Sequence, residues 1–255
     1  MKMPEKEKAD ASPPAAPRLE NLPDYMTDVY DWAYINPRNV RWLDRNLVFR
    51  VLLFFNDRRL TRAYLNEVRP GMRVWQVAHV YGDLVQQVAD KVGPQGALHL
   101  TDIAPIQIRQ AEHKLADRPW CKVIHSDAIH FSGEKDVVYD IICSFFLLHE
   151  VPDDKKRQIV DRMLKNLPQG GKAIFIDYSN PEKWQPVRYL LKAVNRFFEP
   201  FSNALWKNEI RHYASQAEEF VWEKKTFFGG VYQCVITVHR GEEILSQGAL
   251  EPTNK

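Results

Sequence analysis

Two ionisable side chains, His79 and Tyr81, stand in a loop where glycines are expected. The stretch Met72–Gly82, MRVWQVAHVYG, follows Pro70-Gly71 and contains a short apolar run rich in β-formers, Val74–Ala78. Gly82 opens a turn, and Leu84, Val85, Val88, Ala89 and Val92 then recur at helical spacing. A strand running through a tight turn into a helix is the first unit of a doubly wound nucleotide-binding sheet. Its backbone N–H groups and helix N-terminus lie at the carboxyl end of the central strand. Such loops usually carry two or three glycines, which let the backbone approach a ligand. Ala78-His79-Val80-Tyr81-Gly82 keeps one. Two readings follow: a degenerate turn without ligand, or a cofactor loop whose His79 and Tyr81 accept or relay a proton. A positioned acid or base of that kind contributes roughly 10²- to 10⁴-fold in rate.

Asp102 is the second chemical feature. It ends the segment Ala97–Leu100 with Thr101, 20 residues beyond Gly82. A carboxylate so placed binds a ribose diol through two charge-assisted hydrogen bonds. Asp127 ends the next short run, Lys122–His125, within Ser126-Asp127-Ala128. His149, Glu150, Asp153 and Asp154 follow the buried-type run Tyr139–Ser144, and Asp177-Tyr178 follows Lys172–Ile176. If these runs are parallel strands, all of these residues share one sheet edge.

The pattern between them supports that arrangement. Helical spacing marks Asp83–Val92, Ile106–Leu115 and Lys155–Leu167, and Pro94-Gln95-Gly96 and Pro168-Gln169-Gly170-Gly171 make turns. Strands alternate with helices five times, which predicts a parallel sheet with helices on both faces. Glu219–Phe228, Gly229-Gly230 and Val231–His239 form a hairpin, placing an antiparallel strand at the end of a mostly parallel, seven-stranded sheet. Pro181–Trp206 interrupts the alternation. Val187, Leu190, Leu191, Val194, Phe197, Phe198 and Phe201 form one face, and Arg188, Lys192 and Arg196 another. It is either a lid or membrane-facing helix, or a plain packing helix.

Before the first strand, Arg38–Leu65 reads as one or two helices with Val40, Leu43, Leu47 and Val51 in register. Arg41, Arg45, Arg50, Arg58, Arg59 and Arg62 surround that stripe. The stripe faces either the core or an anionic membrane surface. Tyr25–Pro37 is dense in aromatics, including Tyr30 and Tyr34, and is either core or interface, or a cap over an apolar ligand. Residues 1–23, rich in Lys, Glu, Ala and Pro, are expected to be a disordered tail, residues 24–240 the folded domain, and residues 241–255 a loose tail.

Composition excludes several classes. The formal charge is +2, so no basic excess argues for nucleic acid. Cys121, Cys143 and Cys234 are scattered, without zinc spacing, and suit a reducing cytosol better than a disulfide framework. No apolar run approaches the ~20 residues of a membrane-spanning helix. The acid-containing N-terminus, with Glu5, Glu7, Asp10 and Glu20, lacks an apolar signal core.

The motif after strand one, Asp102, Asp127, LPQGGKAIFIDYSNP, Tyr30-Asp31 and the terminal FFGGVYQCVITVHRG together resemble class I S-adenosylmethionine-dependent methyltransferases, especially those acting on ubiquinone and menaquinone precursors. The resemblance covers roughly residues 25–240. It implies a Rossmann-like class I methyltransferase fold. It also implies S-adenosylmethionine contacts from Gln76, Ala78, His79, Tyr81, Gly82, Asp102, Ile103, Asp127, Ala128 and Ser144, with Asp127-Ala128 at the adenine edge. The departures are more specific. VWQVAHVYGDL and YDWAYINPRNVRWLDRN resemble the methyltransferase-like rhodoquinone biosynthesis family, RquA. That resemblance implies conversion of ubiquinone to rhodoquinone, a ring methoxy group giving way to an amino group drawn from S-adenosylmethionine, supported by a divalent metal such as manganese.

Gln76 stands where related enzymes place an acidic residue facing the cofactor's ammonium. Losing that carboxylate removes a charge that holds the amine protonated. This suits amine donation better than methyl donation. On this reading Tyr81, His79, His149 and Asp154 are catalytic, and Tyr30, Tyr34, His149 and Tyr178 meet the substrate. His149 and Asp154 are also candidate metal ligands, since manganese takes oxygen donors with some imidazole. His149-Glu150 could equally be a helix cap or a substrate contact. The expected setting is cytoplasmic, on the inner face of the membrane that holds ubiquinone, with the oligomeric state open. Two alternatives remain: a conventional quinone or small-molecule methyltransferase, and a non-catalytic quinone-binding subunit.

Overall fold

The computed structural model describes residue 39, residues 43–197 and residues 201–241, with the side chains of 194–197 excepted. The expectations for the two tails, for the aromatic segment with Tyr30 and Tyr34, and for residues 198–200 lie outside the described residues. Seven strands form one sheet in the order β3-β2-β1-β4-β5-β7-β6. They are β1 (Arg73–Val77), β2 (Ala97–Asp102), β3 (Cys121–His125), β4 (Ile141–Phe145), β5 (Lys172–Tyr178), β6 (Phe220–Phe227) and β7 (Tyr232–His239). β1 to β5 are parallel, and β7 pairs antiparallel with both β5 and β6. The expected Rossmann-like class I methyltransferase fold is therefore present.

Strand alternation divides the core. Val74, Leu98, Leu100, Ile141, Cys143 and Ile174 pack on one face against helices α2 (Asp57–Leu65), α3 (Leu84–Val92) and α4 (Pro105–Leu115). Trp75, Val77, Ile142, Ala173 and Phe175 pack on the other against α5 (Asp153–Lys165). From β1 the chain moves to β2 and β3 on one side, then returns to β4 and β5 on the other. The crevice where this direction reverses, at the carboxyl ends of β1 and β4, is where open α/β sheets bind ligands.

The N-terminal stripe is broken. α1 (Asn46–Leu52) stops and α2 starts only at Asp57. Between them Phe54 and Phe55 adopt positive φ, at 48° and 59°. The Asn56 side-chain amide holds the corner by donating to the carbonyls of Leu53 (3.3 Å) and Phe54 (2.9 Å). The segment 181–206 is likewise two pieces, α6 (Val187–Phe197) and α7 (Asn203–Lys207). Among the described residues no helix is long and apolar enough to cross a membrane.

Candidate active site

β1 ends at Val77, because Ala78 turns into the left-handed region at φ 67°. Only glycine adopts that conformation without steric cost. The turn is fixed by hydrogen bonds to the neighbouring strand: Ala78 N–H donates to the Thr101 carbonyl (2.9 Å) and His79 N–H to Asp102 Oδ2 (2.8 Å). It opens a cleft, continuous with solvent, over the carboxyl ends of β1 and β2. Ala78, His79, Asp102, Ile103, Asp127 and Ala128 line it, all six expected from sequence. Gln107, Phe146, Leu147 and Glu150 line it too, and the sequence did not single out the first three.

Asp102 is buried, and each carboxylate oxygen accepts a backbone N–H, Oδ2 from His79 and Oδ1 from Ala104 (2.8 Å). A carboxylate offers about four acceptor sites, so capacity remains for a diol. Burial pushes its pKa up to about 6, against the opposing pull of N–H donors from Ala104, His79 and Ile103. Asp127 Oδ1 accepts the Ile129 N–H (2.9 Å), which fixes the turn after β3.

A buried polar chain backs the loop. Lys114, near the end of α4, donates to Asp44 Oδ1 (2.5 Å), to the Gly82 carbonyl (2.7 Å) and to His79 Nε2 (3.2 Å). An ammonium only donates, so Nε2 is the acceptor and the ring proton sits on Nδ1. Nδ1–H then donates to Gln107 Oε1 (2.7 Å), and Gln107 Nε2 donates to the Tyr81 hydroxyl (3.0 Å). Burial, with Lys114 adding to it, lowers the His79 pKa to about 3. Burial raises the Tyr81 phenol, and the carboxylates of Glu150, Asp44 and Asp102 add to that rise. Both groups are therefore neutral near pH 7. His79 has both ring nitrogens engaged, by Lys114 and Gln107, and the Tyr81 hydroxyl accepts from Gln107.

The positive φ (80°) and missing Cβ of Gly82 serve the close approach of Phe49, whose ring would lie 3.0 Å from a Cβ there. Gln76 is buried. Its Nε2 donates to the Ala78 carbonyl (3.3 Å), and its Oε1 has no hydrogen-bond partner among the described residues. Ser144 Oγ is also buried without one. Register pairs Gln76 with Cys143, so alternation turns Gln76 and Ser144 to opposite faces of the sheet.

His149 lies on a 3-10 turn, Leu148–Glu150, at the end of β4. Asp177, buried at the end of β5, accepts from His149 Nδ1 (2.9 Å) and from the backbone N–H groups of Leu148 (2.8 Å), His149 (3.3 Å) and Tyr178 (2.7 Å). With the ring proton on Nδ1, Nε2 faces Glu150 Oε1 at 3.6 Å. Tyr178 packs edge-on against the imidazole, ring centroids 4.8 Å apart. Asp154 is exposed in the first turn of α5. Among the described residues no three His, Cys, Asp or Glu side chains gather in a way that could hold a metal ion. The donor set expected from His149 and Asp154 is therefore not formed: the contacts of His149 go to Asp177 and Glu150 instead.

Residues 74–171 match the family model for the Methyltransferase domain. The chain is 31% identical over 140 residues to the ubiquinone/menaquinone biosynthesis C-methyltransferase UbiE of Idiomarina loihiensis, covering 52% of this chain and 55% of that protein. It is 29% identical over 160 residues to UbiE of Ectopseudomonas mendocina, covering 60% of each. The matched part thus spans little more than half the length of these relatives. Among solved structures, the mitomycin 7-O-methyltransferase MmcR superposes with a TM-score of 0.60 at 15% identity, over 82% of this chain and 60% of that one. The fold is that of class I methyltransferases, and over about half of its length the chain is similar to UbiE C-methyltransferases.

Proposed function

We propose that the cleft binds S-adenosylmethionine and that the protein converts ubiquinone to rhodoquinone, an amino group replacing a ring methoxy group. S-adenosylmethionine, when bound, would supply the nitrogen: the ring C–O bond breaks and methanol leaves as the ring C–N bond forms, and water then cleaves the Cα–N bond to free the amino group. The chain's own groups fit it. Asp102 has acceptor capacity for the ribose hydroxyls. Asp127 and Ala128 line the side of the cleft where the adenine belongs. Gln76 Oε1 is a buried acceptor still lacking a donor.

That last observation carries the proposal. A carboxylate at position 76 would hold the amine as ammonium, whereas the neutral amide accepts a hydrogen bond and leaves the amine free to lose its proton. His149, oriented by Asp177 as in other carboxylate–imidazole pairs, offers Nε2 as the proton acceptor. Tyr178 and Phe146 supply aromatic surface for a quinone ring. No step is assigned to manganese, because the described residues do not gather into a site for it. A substrate with an isoprenoid tail places the protein at the inner face of the membrane.

Similarity to UbiE favours a second reading, conventional methylation of a quinone precursor. Product mass separates the two. Full-length protein incubated with ubiquinone and S-adenosylmethionine, with and without manganese, should yield a lighter quinone, since amino replaces methoxy. A heavier product means methyl transfer. Calorimetric absence of S-adenosylmethionine binding would leave only the non-catalytic reading.

A further inference from the structure

The corner between α1 and α2 exposes apolar surface. Leu47, Val51 and Phe55 are each more than half exposed. Phe54 stacks on Phe228, centroids 6.0 Å apart. The adjoining Gly229 touches Trp184, whose ring lies 3.0 Å from where a Cβ would sit. Trp184 is 67% exposed and Leu190, on α6, 54%. The corner and the start of α6 therefore form one apolar face assembled from two distant parts of the chain.

Beside it lies a second cavity, about 1020 Å³ and open to solvent, between α1, α2 and the start of α3. Arg50, Arg58 and Arg62 line it, with Asn46, Thr61 and Gln87. Its two carboxylates are engaged: Asp57 pairs with Arg50 at 3.5 Å, and Asp83 accepts from Gln87 at 2.8 Å. The Arg58 and Arg62 guanidiniums have no ion-pair or hydrogen-bond partner among the described residues, and at i, i+4 on α2 they repel each other. The Arg50 guanidinium also lies 5.8 Å over the Phe55 ring, joining the cavity to the apolar corner. Arg45, Arg59, Lys183 and Lys192 are exposed on or next to the segments that form this face, and the exposed Glu182 carboxylate accepts from the Trp184 indole N–H.

We propose that this is a docking face for an anionic phospholipid bilayer. Phe55, Trp184 and Leu190 enter the headgroup–acyl boundary, and the Arg50–Arg58–Arg62 cavity takes a lipid phosphate. Charge complementarity selects this occupant. Apolar residues rimmed by guanidiniums match an interface with negative headgroups above hydrocarbon, and a phosphate between Arg58 and Arg62 relieves their repulsion. Aromatic packing also links the face to the catalytic cleft. Phe54, Phe228, Tyr232, Tyr178 and His149 follow one another with centroid spacings of 6.0, 6.4, 5.6 and 4.8 Å. The surface serves the reading in which the substrate is a membrane lipid, but its test needs no catalysis.

Full-length protein, without quinone or S-adenosylmethionine, is sedimented with phosphatidylcholine vesicles and with vesicles that also contain phosphatidylglycerol. The expected result is binding to the second only, released by high salt. Arg58→Gln and Arg62→Gln should each weaken it about fivefold. Phe55→Asp with Trp184→Asp should abolish it while circular dichroism and calorimetric S-adenosylmethionine binding stay unchanged. Equal binding to neutral vesicles, or to neither, overturns the proposal. So does a concentration-dependent dimer that the Phe55 and Trp184 substitutions dissolve, since the face would then belong to a second copy. Vesicle binding by a protein that makes no rhodoquinone would leave the docking face standing and remove the proposed chemistry.

Discussion

Lys114 Nζ lies 3.2 Å from His79 Nε2, and that contact sets the tautomer of His79 and, through Gln107, the hydrogen bond to Tyr81. The same ammonium grips Asp44 and the Gly82 carbonyl, so the segment before α1 is fastened over the loop after β1. Leu43 packs on Tyr81 within that fastening.

Breaking it should be costly. Lys114→Met leaves the Asp44 carboxylate with the Gly82 N–H (3.1 Å) but without its cation. A loss of about 2–3 kcal/mol in urea unfolding is expected. Lys114→Met combined with Asp44→Leu should lose less than the two single changes added together, because neither charge is then stranded. Strict additivity would show that the two residues are not coupled.

Cofactor affinity should depend on pH through Asp102. Its folded pKa, about 6, lies above the ordinary carboxylate value of 3.8. By linkage its protonation stabilises the fold, an effect fully present below 3.8 and lost as pH rises through about 6. His79, lowered to about 3, acts oppositely, costing stability as pH falls below its ordinary 6.5. The two offset each other in the global stability, so the clean readout is binding. A ribose diol donates to the ionised carboxylate, so calorimetric affinity should hold above pH 7 and fall toward tenfold per unit below about 6. Affinity that is flat from pH 7 to 5 would remove Asp102 from the diol site.

Asp177→Asn should separate chemistry from binding. The amide can still be held by the backbone, but it can no longer stabilise a protonated His149. Turnover is expected to fall about 10²- to 10⁴-fold with cofactor affinity unchanged. A parallel loss of both would make the Asp177–His149 pair a scaffold for the β4 turn and nothing more.

Gln76→Glu tests the neutral position directly. A carboxylate there raises the amine's pKa, so amino transfer at neutral pH should drop about tenfold per unit of that rise and recover as pH increases. Binding should tighten or hold. Unchanged turnover across pH would mean that the position does not face the amine.

Much of this was legible before any coordinates. Five parallel strands and the Gly229-Gly230 hairpin appear in the sheet as expected, although four of those strands, not five, are followed by a helix, since β3 runs to β4 through turns alone; the spacing from Gly82 to Asp102 places the carboxylate in the cleft. Strand periodicity and turn chemistry are local, so a single chain displays them. The polar chain is not local. Lys114 and Asp44 are 70 residues apart, and Lys114 and His79 35. Their charges looked like ordinary surface residues. Gln107 did leave a trace, as a polar residue on the buried stripe of α4 with Ile108, Ala111 and Leu115. That Gly82 also admits the ring of Phe49 was not legible, because the two are 33 residues apart. Adjacent acidic residues suggested a metal site, but α5 turns Asp154 to solvent, and Asp177 engages His149.

The central claim is that the cleft delivers nitrogen. The most direct test supplies ubiquinone with S-adenosylmethionine labelled with heavy nitrogen on its amino group and reads the quinone product by mass spectrometry. A rhodoquinone carrying the label is the predicted result. An unlabelled product, or one heavier by a methyl group, would contradict it.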